Sequence, residues 1–276
     1  MYGGFIVPPD DGEADLGVLF WHKDGFSTAC GHGTIALGVW AVETGRVAAP
    51  ESGSAEVVID VPSGRVSARV HREAGRLVAA DFVNVPSWVV ARDVPVDTSR
   101  GKVTVTVAYG GAIYATLPSE QVDLSVTPDS LGDLIALGRE IKWALNDSEH
   151  AVHPADPRLN GIYGTIWFED LGNSDGQVRQ RNVTIFADGE VDRSPCGSGT
   201  CARLAVLAED GRLSAGTVLR HESIVGSTFI GTVLGSVDVN GRHAVVPQVT
   251  GMAYRTGEHV FSIDPRDPLV PGFLLR

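Results

Sequence analysis

Between residues 56 and 84 apolar and polar positions alternate through three short runs, EVVIDVP, RVSARVH and RLVAADFVNV, broken by Ser63-Gly64 and Ala74-Gly75. Alternation is the period of a half-buried strand and the breaks carry turn chemistry, so the stretch predicts an antiparallel meander. A second strand-rich block is predicted from VTVTVA (103–108) and AIYATL (112–117), after a loop with Arg92, Pro95, Asp97 and Gly101 that marks a domain boundary. Apolar residues at 131, 134, 135, 141 and 145 follow helical spacing and predict a helix packed on the surface. Strands resume at GIYGTIWF (161–168) and VRQRNVTIFA (178–187), and more are expected between 217 and 263, with Asn240-Gly241 as a hairpin turn. The closing IDPRDPLVPGFLLR is too proline-rich for regular structure before its apolar tail.

The strongest pattern is an internal repeat. CGHGTIALGVWAVETGRV (30–47) aligns without a gap on CGSGTCARLAVLAEDGRL (196–213), with eight of eighteen positions identical. Each copy opens on Cys-Gly-x-Gly, continues as an Ala/Leu/Val-rich stretch of helix length, and stops at a glycine suited to a left-handed cap. Each half is therefore expected to hold one helix with a cysteine at its start. A helix apolar nearly all round needs partners on most sides, as a curved sheet wrapped about it would provide. Two such half-barrels related by a pseudo-two-fold bring the cysteine ends together at their interface.

Composition narrows the function. The 276 residues allow two modest domains, and 43% hydrophobic with 20% charged residues describes an ordered globular chain. A net charge of −12 without a Lys/Arg cluster argues against nucleic acid as a partner. No apolar run reaches membrane-spanning length and the start lacks a basic signal region, so a cytoplasmic location is expected, with no membrane partner. Three cysteines build no disulfide framework and point to free thiols.

A free thiol titrates near about 8.5, and a helix N-terminus can lower this to roughly 3.5–7.5. The unpaired amides of Gly31, His32, Gly197 and Ser198 can also hold a carboxylate, offsetting charge as the adjacent carbon becomes a carbanion. Inverting a carbon through proton exchange needs an acid and a base on its opposite faces. Cys30 and Cys196, one thiolate and one thiol, supply such a pair, with roles reversed for the other enantiomer.

CGHGTIA around Cys30 and DRSPCGSGTCAR (192–203) around Cys196 resemble the paired motifs of the proline racemase and hydroxyproline 2-epimerase family. The resemblance extends through YGGAIYATL, NGIYGTIWF, HESIVGSTFIG and AYRTGEHVFSIDPRDPLVPGFLLR, and so covers nearly the whole chain. It implies an α+β, diaminopimelate-epimerase-like fold of two pseudo-symmetric domains. The first would span 1–97, completed by 253–276, and the second 98–252. It further implies catalysis without pyridoxal phosphate or metal, a small imino acid substrate and homodimers. By position, Asp192 matches the family's acidic partner for the substrate nitrogen and His32 its companion. The amides of Gly197, Ser198, Gly199 and Thr200 match part of the carboxylate cradle.

Two departures stand out. Family members usually carry several dozen residues, including an Asp-x-His-Thr type strand, before the point resembling Met1-Tyr2-Gly3, so an amino-terminally short form is expected. Ala29 precedes the first cysteine where many members have methionine, which alters the pocket wall. Within the family, CGHGT favours 4-hydroxyproline 2-epimerase over proline racemase. Trans-3-hydroxy-L-proline dehydration is the alternative, although that branch often replaces the second cysteine by threonine. A non-catalytic imino-acid-binding form is a third reading.

Other assignments fare worse. Cys201, aligned with Ile35, reads as core packing. Cys30-x-His32 and Cys196-x4-Cys201 lack the spacing of a structural zinc site, and CGSGT lacks the lysine of a phosphate loop. A cysteine hydrolase using His32 or His153 as base leaves the second cysteine unexplained.

Overall fold

The computed structural model describes residues 2–213, 216–270 and 272. In the first half, strands β1 (Tyr2–Val7), β2 (Leu16–His22) and β3 (Gly25–Ser27) lead into helix α1 (Gly31–Glu43). The meander follows as β4 (Gly53–Val61), β5 (Gly64–Glu73) and β6 (Arg76–Val83). All three strands pair antiparallel as their alternation predicts, and Ala74-Gly75 turns through positive φ at both residues (47° and 79°). In the second half, β7 (Trp88–Thr98), β8 (Gly101–Tyr109) and β9 (Ile113–Pro118) precede α2 (Leu131–Leu145). Next come β10 (Ile162–Ser174), β11 (Gln177–Phe186), β12 (Glu190–Val191) and α3 (Gly197–Glu209). Strands β13 (Val218–Ser223), β14 (Thr228–Val239) and β15 (Arg242–Gly251) complete the order.

The main path of the sheet runs β1-β2-β4-β5-β6-β15-β14-β13-β11-β10-β9-β8-β7, with β3 on β2 and β12 on β11. Its three parallel pairs, β2·β4, β9·β10 and β11·β13, are bridged by α1, α2 and α3 respectively. Parallel neighbours cannot be joined by a tight turn, so each needs a crossover. The two repeat copies, α1 and α3, are thus the same device used twice, each reached from its strand through a short extra strand, β3 or β12. The halves join where β6 pairs antiparallel with β15, from Val83↔Gln248 to Ala80↔Gly251.

Helix α1 packs on β4, β5 and β6, burying Ile35, Val39, Ala41 and Val42 in a core with Val57, Ile59, Val66 and Val70. Gly38 makes this approach close: a Cβ there would lie 2.4 Å from Cβ of Ala68. Helix α3 is enclosed by β7, β8, β9, β14 and β15 and buries even Arg203, whose guanidinium stacks 3.8 Å over Phe168. Enclosure of the two helices is unequal, because α1 leaves Ala36 exposed and Leu37 and Trp40 half-buried. Both helices stop at the anticipated glycines, Gly45 (φ 73°) and Gly211 (φ 69°). Helix α2 is amphipathic, facing Leu134, Leu137, Ile141 and Leu145 toward β10, β11 and β7.

Two local expectations are corrected. Residues 88–98, read as including a loop from Arg92, form the strand β7; Pro95 fits there because β7 is the outer strand and needs no donor on its open side. Strands end at Gly251, not near 263, and residues 252–270 have no helix or strand. The apolar tail at 273–276 lies outside the described residues. Asn240-Gly241 is the hairpin turn expected, with positive φ at both residues (53° and 79°). Among the described residues no helix is long and apolar enough to cross a membrane.

Gly38→Ala is expected to destabilise the fold by about 1–3 kcal/mol, because backbone displacement outweighs the gain in helix propensity. Urea unfolding followed by circular dichroism checks this, with Gly132→Ala, whose added Cβ meets nothing within 4 Å, as the control.

Candidate active site

Cys30 caps the N-terminus of α1 and Cys196 that of α3. Both are buried, 4% and 5% exposed, and both line one pocket with Tyr2, Ala29, Gly31, His32, Tyr114, Tyr163, Phe186, Asp192, Gly197 and Ser198. Its free volume is about 10 Å³, room for roughly one water.

The Cys-Gly-x-Gly pattern has a direct steric cause. A Cβ on Gly31 would lie 2.6 Å from Cα of Gly197, and one on Gly197 would lie 2.5 Å from Cα of Gly31. The first glycines therefore let the two helix starts abut, backbone on backbone. The second glycines clear the sulfurs: a Cβ on Gly33 would lie 2.8 Å from Cys30 Sγ, and one on Gly199 would lie 2.9 Å from Cys196 Sγ.

The first intrahelical bonds run from Thr34 N to Cys30 O and from Thr200 N to Cys196 O, so the amides between have no carbonyl partner within their helices. Those of Gly31, His32, Gly197 and Ser198 belong to pocket-lining residues, as a carboxylate cradle requires. Gly199 and Thr200 lie outside that lining. The Gly199 amide serves the Cys196 sulfur, and Thr200 Oγ1 donates to Pro195 O at 3.1 Å beside His221 Nδ1.

The flanking charges form one chain. His32 Nδ1 lies 3.3 Å from Asp192 Oδ2, and Ser194 Oγ donates to Asp192 Oδ1 at 2.8 Å. Ser194 Oγ also accepts the Cys196 amide at 3.1 Å and sits 3.2 Å from His32 Nδ1. Burial opposes charge on His32, yet its neighbours Cys30 and Asp192 hold its pKa well above the ordinary value. Burial likewise opposes charge on Asp192, but His32 and the bonds from Ser194 hold its pKa below the carboxylate norm. The Cys196 thiol is pushed up to about 12 by burial and then by Asp192, partly offset by the Gly199 amide and Tyr114. Helix-start geometry thus does not by itself leave this thiol ionised.

The sequence reading missed the aromatic wall. Tyr163 stacks on Phe186 at 5.7 Å, and Tyr2 meets His32 edge-on at 5.5 Å. Tyr114 and Tyr163 lay inside segments carrying the family resemblance, and Ser194 stood between Asp192 and Cys196, but no spacing rule marks them. Cys201 is wholly buried in the core, as expected. His153 packs on Tyr109 at 5.0 Å and accepts the Asp156 amide, away from the thiols. Among the described residues no group of three or more His, Cys, Asp or Glu could hold a metal ion.

Against known proteins, the model of the proline racemase family matches residues 1–274. The chain belongs to the proline racemase family. A 3-hydroxyproline 2-epimerase of Burkholderia multivorans is 45% identical over 281 aligned residues, covering 100% of this chain and 82% of the relative. A trans-3-hydroxy-L-proline dehydratase of Bacillus thuringiensis is 42% identical over 275, covering 100% and 81%. A hydroxyproline epimerase from Agrobacterium vitis, solved with trans-4-hydroxy-L-proline, superposes with TM-score 0.92 at 30% identity, covering 99% of this chain and 77% of that one. These likenesses establish the family and its α+β fold.

The pH dependence of the His32–Asp192 pair follows from its shifts. Asp192, lowered when folded, adds stability above its unfolded value of about 3.9 that is lost as pH falls through the native value. His32, raised when folded, adds stability below about 6.5 that is lost as pH rises through its native value. The stability difference between wild type and Asp192→Asn is therefore expected to be greatest between about pH 4 and 6.5 and to shrink on either side. Urea titrations across pH 3–9 measure it, and a difference that grows steadily above pH 6.5 contradicts the pairing.

Proposed function

We propose that this protein is a two-thiol hydroxyproline 2-epimerase. The observation that carries the reading is the presence of both cysteines, each at a helix start, on one pocket with unpaired amides beside them. The substrate carboxylate sits against the amides of residues 31–32 and 197–198, and Asp192 with His32 faces the ring nitrogen. One sulfur, as thiolate, takes the α-proton; the carbanion's charge spreads into the carboxylate held by the amides. The thiol on the opposite face then gives its proton to the carbon and is left as thiolate. The reverse direction exchanges the roles, so no external acid or base is consumed.

The position of the ring hydroxyl is the finer question. Sequence reading favoured the 4-hydroxy substrate, whereas the relatives cited at 42–45% identity are named for 3-hydroxyproline, which supports a 3-hydroxy substrate at least as well. A second reading, dehydration of trans-3-hydroxy-L-proline, is favoured by the dehydratase name of the Bacillus relative. It needs one base for the α-proton and departure of the β-hydroxyl as water. The second thiol supports epimerisation instead, because dehydration gives it no necessary task.

Incubation in D2O with trans-3-hydroxy-L-proline, trans-4-hydroxy-L-proline and L-proline, followed by proton NMR, separates these. Deuterium at Cα with the C2 epimer is the expected result; a pyrroline product assigns dehydration, and no exchange with any of the three rejects both. Cys30→Ser and Cys196→Ser are each expected to cut epimerisation by about three orders of magnitude, the scale of a lost acid–base group. Cys201→Ala should leave it within about twofold, since this thiol lies in the core.

A further inference from the structure

We propose that Tyr114 is a positioning residue for Cys196: its phenol proton bonds to Ser198 while Cys196 is a thiol, and turns to the Cys196 sulfur when that sulfur becomes a thiolate. The proposal rests on the reading of Cys196 as an acid–base group.

Tyr114 is fully buried on β9, and its hydroxyl lies 2.7 Å from Ser198 Oγ and 3.7 Å from Cys196 Sγ. A phenol has one proton to donate and here two acceptors. A thiol can direct its own proton toward the phenol oxygen, which leaves the tyrosine proton for Ser198. A thiolate only accepts, so its formation makes the sulfur the better acceptor for that same proton. The tyrosine proton never leaves its oxygen; it changes partner as the cysteine proton moves to or from the substrate carbon. Burial first, and the Cys196 charge second, hold the phenol protonated.

The arrangement is specific to one of the two thiols. Cys30 has His32 as its hydrogen-bonding neighbour, whereas Cys196 has Tyr114 and the Gly199 amide. The other ionisable groups facing Cys196 are Asp192, which disfavours its thiolate, His32 from α1, which favours it, Tyr163 from β10 and Cys201 from α3. Of the two groups that hydrogen-bond Cys196, Tyr114 is also paired to Ser198 Oγ, an acceptor that competes for its proton, which gives Ser198 a predictable opposing effect.

The test needs no substrate, so it stays informative even if the epimerase reading fails. Purified protein is treated with iodoacetamide at fixed pH between 7 and 9, and peptide mass spectrometry follows alkylation of Cys30 and Cys196 separately. In this range the rate tracks the thiolate fraction, and Cys30, on the same pocket, controls for opening of the lining. Tyr114→Phe is expected to slow Cys196 relative to Cys30 by about tenfold, the equivalent of one pH unit. An unchanged or increased ratio overturns the proposal. If Tyr114→Phe does not fold, Ser198→Ala carries the test: releasing the phenol proton to the sulfur should raise the ratio severalfold, and an unmoved or lowered ratio overturns the proposal.

Discussion

The backbone contact between Gly31 and Gly197 is the constraint on which the site depends. Each residue is the first of a helix, and each helix is a crossover between parallel strands, so the contact ties the two arms of the sheet together at their strand ends. Any side chain on either glycine would meet the other helix's main chain. With both glycines present, two rows of unpaired amides and two sulfurs converge on one pocket. The resulting field favours negative charge, which suits a carboxylate and an α-carbanion alike.

Burial makes that field selective. Asp192, His32 and the two sulfurs share a pocket with little free volume, so each charge is decided by its neighbours more than by water. Raised His32 and lowered Asp192 are two views of one ion pair, whereas the raised Cys196 is a thiol that burial keeps protonated. The two sulfurs occupy corresponding places in the repeat and yet differ in company, an imidazole at one and a phenol at the other.

Much of this was legible because the repeat carries its own geometry. Cys-Gly-x-Gly, an apolar helix-length run and a terminal glycine sufficed to place both thiols at helix starts. The meander of β4 to β6 was equally plain, since alternation and Ala74-Gly75 express local physics. What escaped was set by distant partners. Strand β7 hides behind Pro95, which only its outer position in the sheet excuses, and Tyr114 reaches the site because β9 runs beneath α3. The unequal cover of α1 and α3 could not be read from two helices of similar composition, because it depends on which strands surround each.

One difference between the thiols lies in the main chain. Cys30 is extended at φ −151°, while Cys196 sits at φ 63° with ψ 106°, a region that side chains bearing a Cβ seldom occupy. Such a conformation costs on the order of 1–3 kcal/mol and persists only where its surroundings over-determine it. Pro195 O, gripped by Asn182 Nδ2 at 3.1 Å and Thr200 Oγ1 at 3.1 Å, and the Cys196 amide held by Ser194 provide that grip. Glycine would relax position 196 and, by that measure, give a sturdier protein. A cysteine there keeps a strained main chain that its counterpart at position 30 does without, so selection for thermal robustness alone would be expected to erode this half of the repeat before the other.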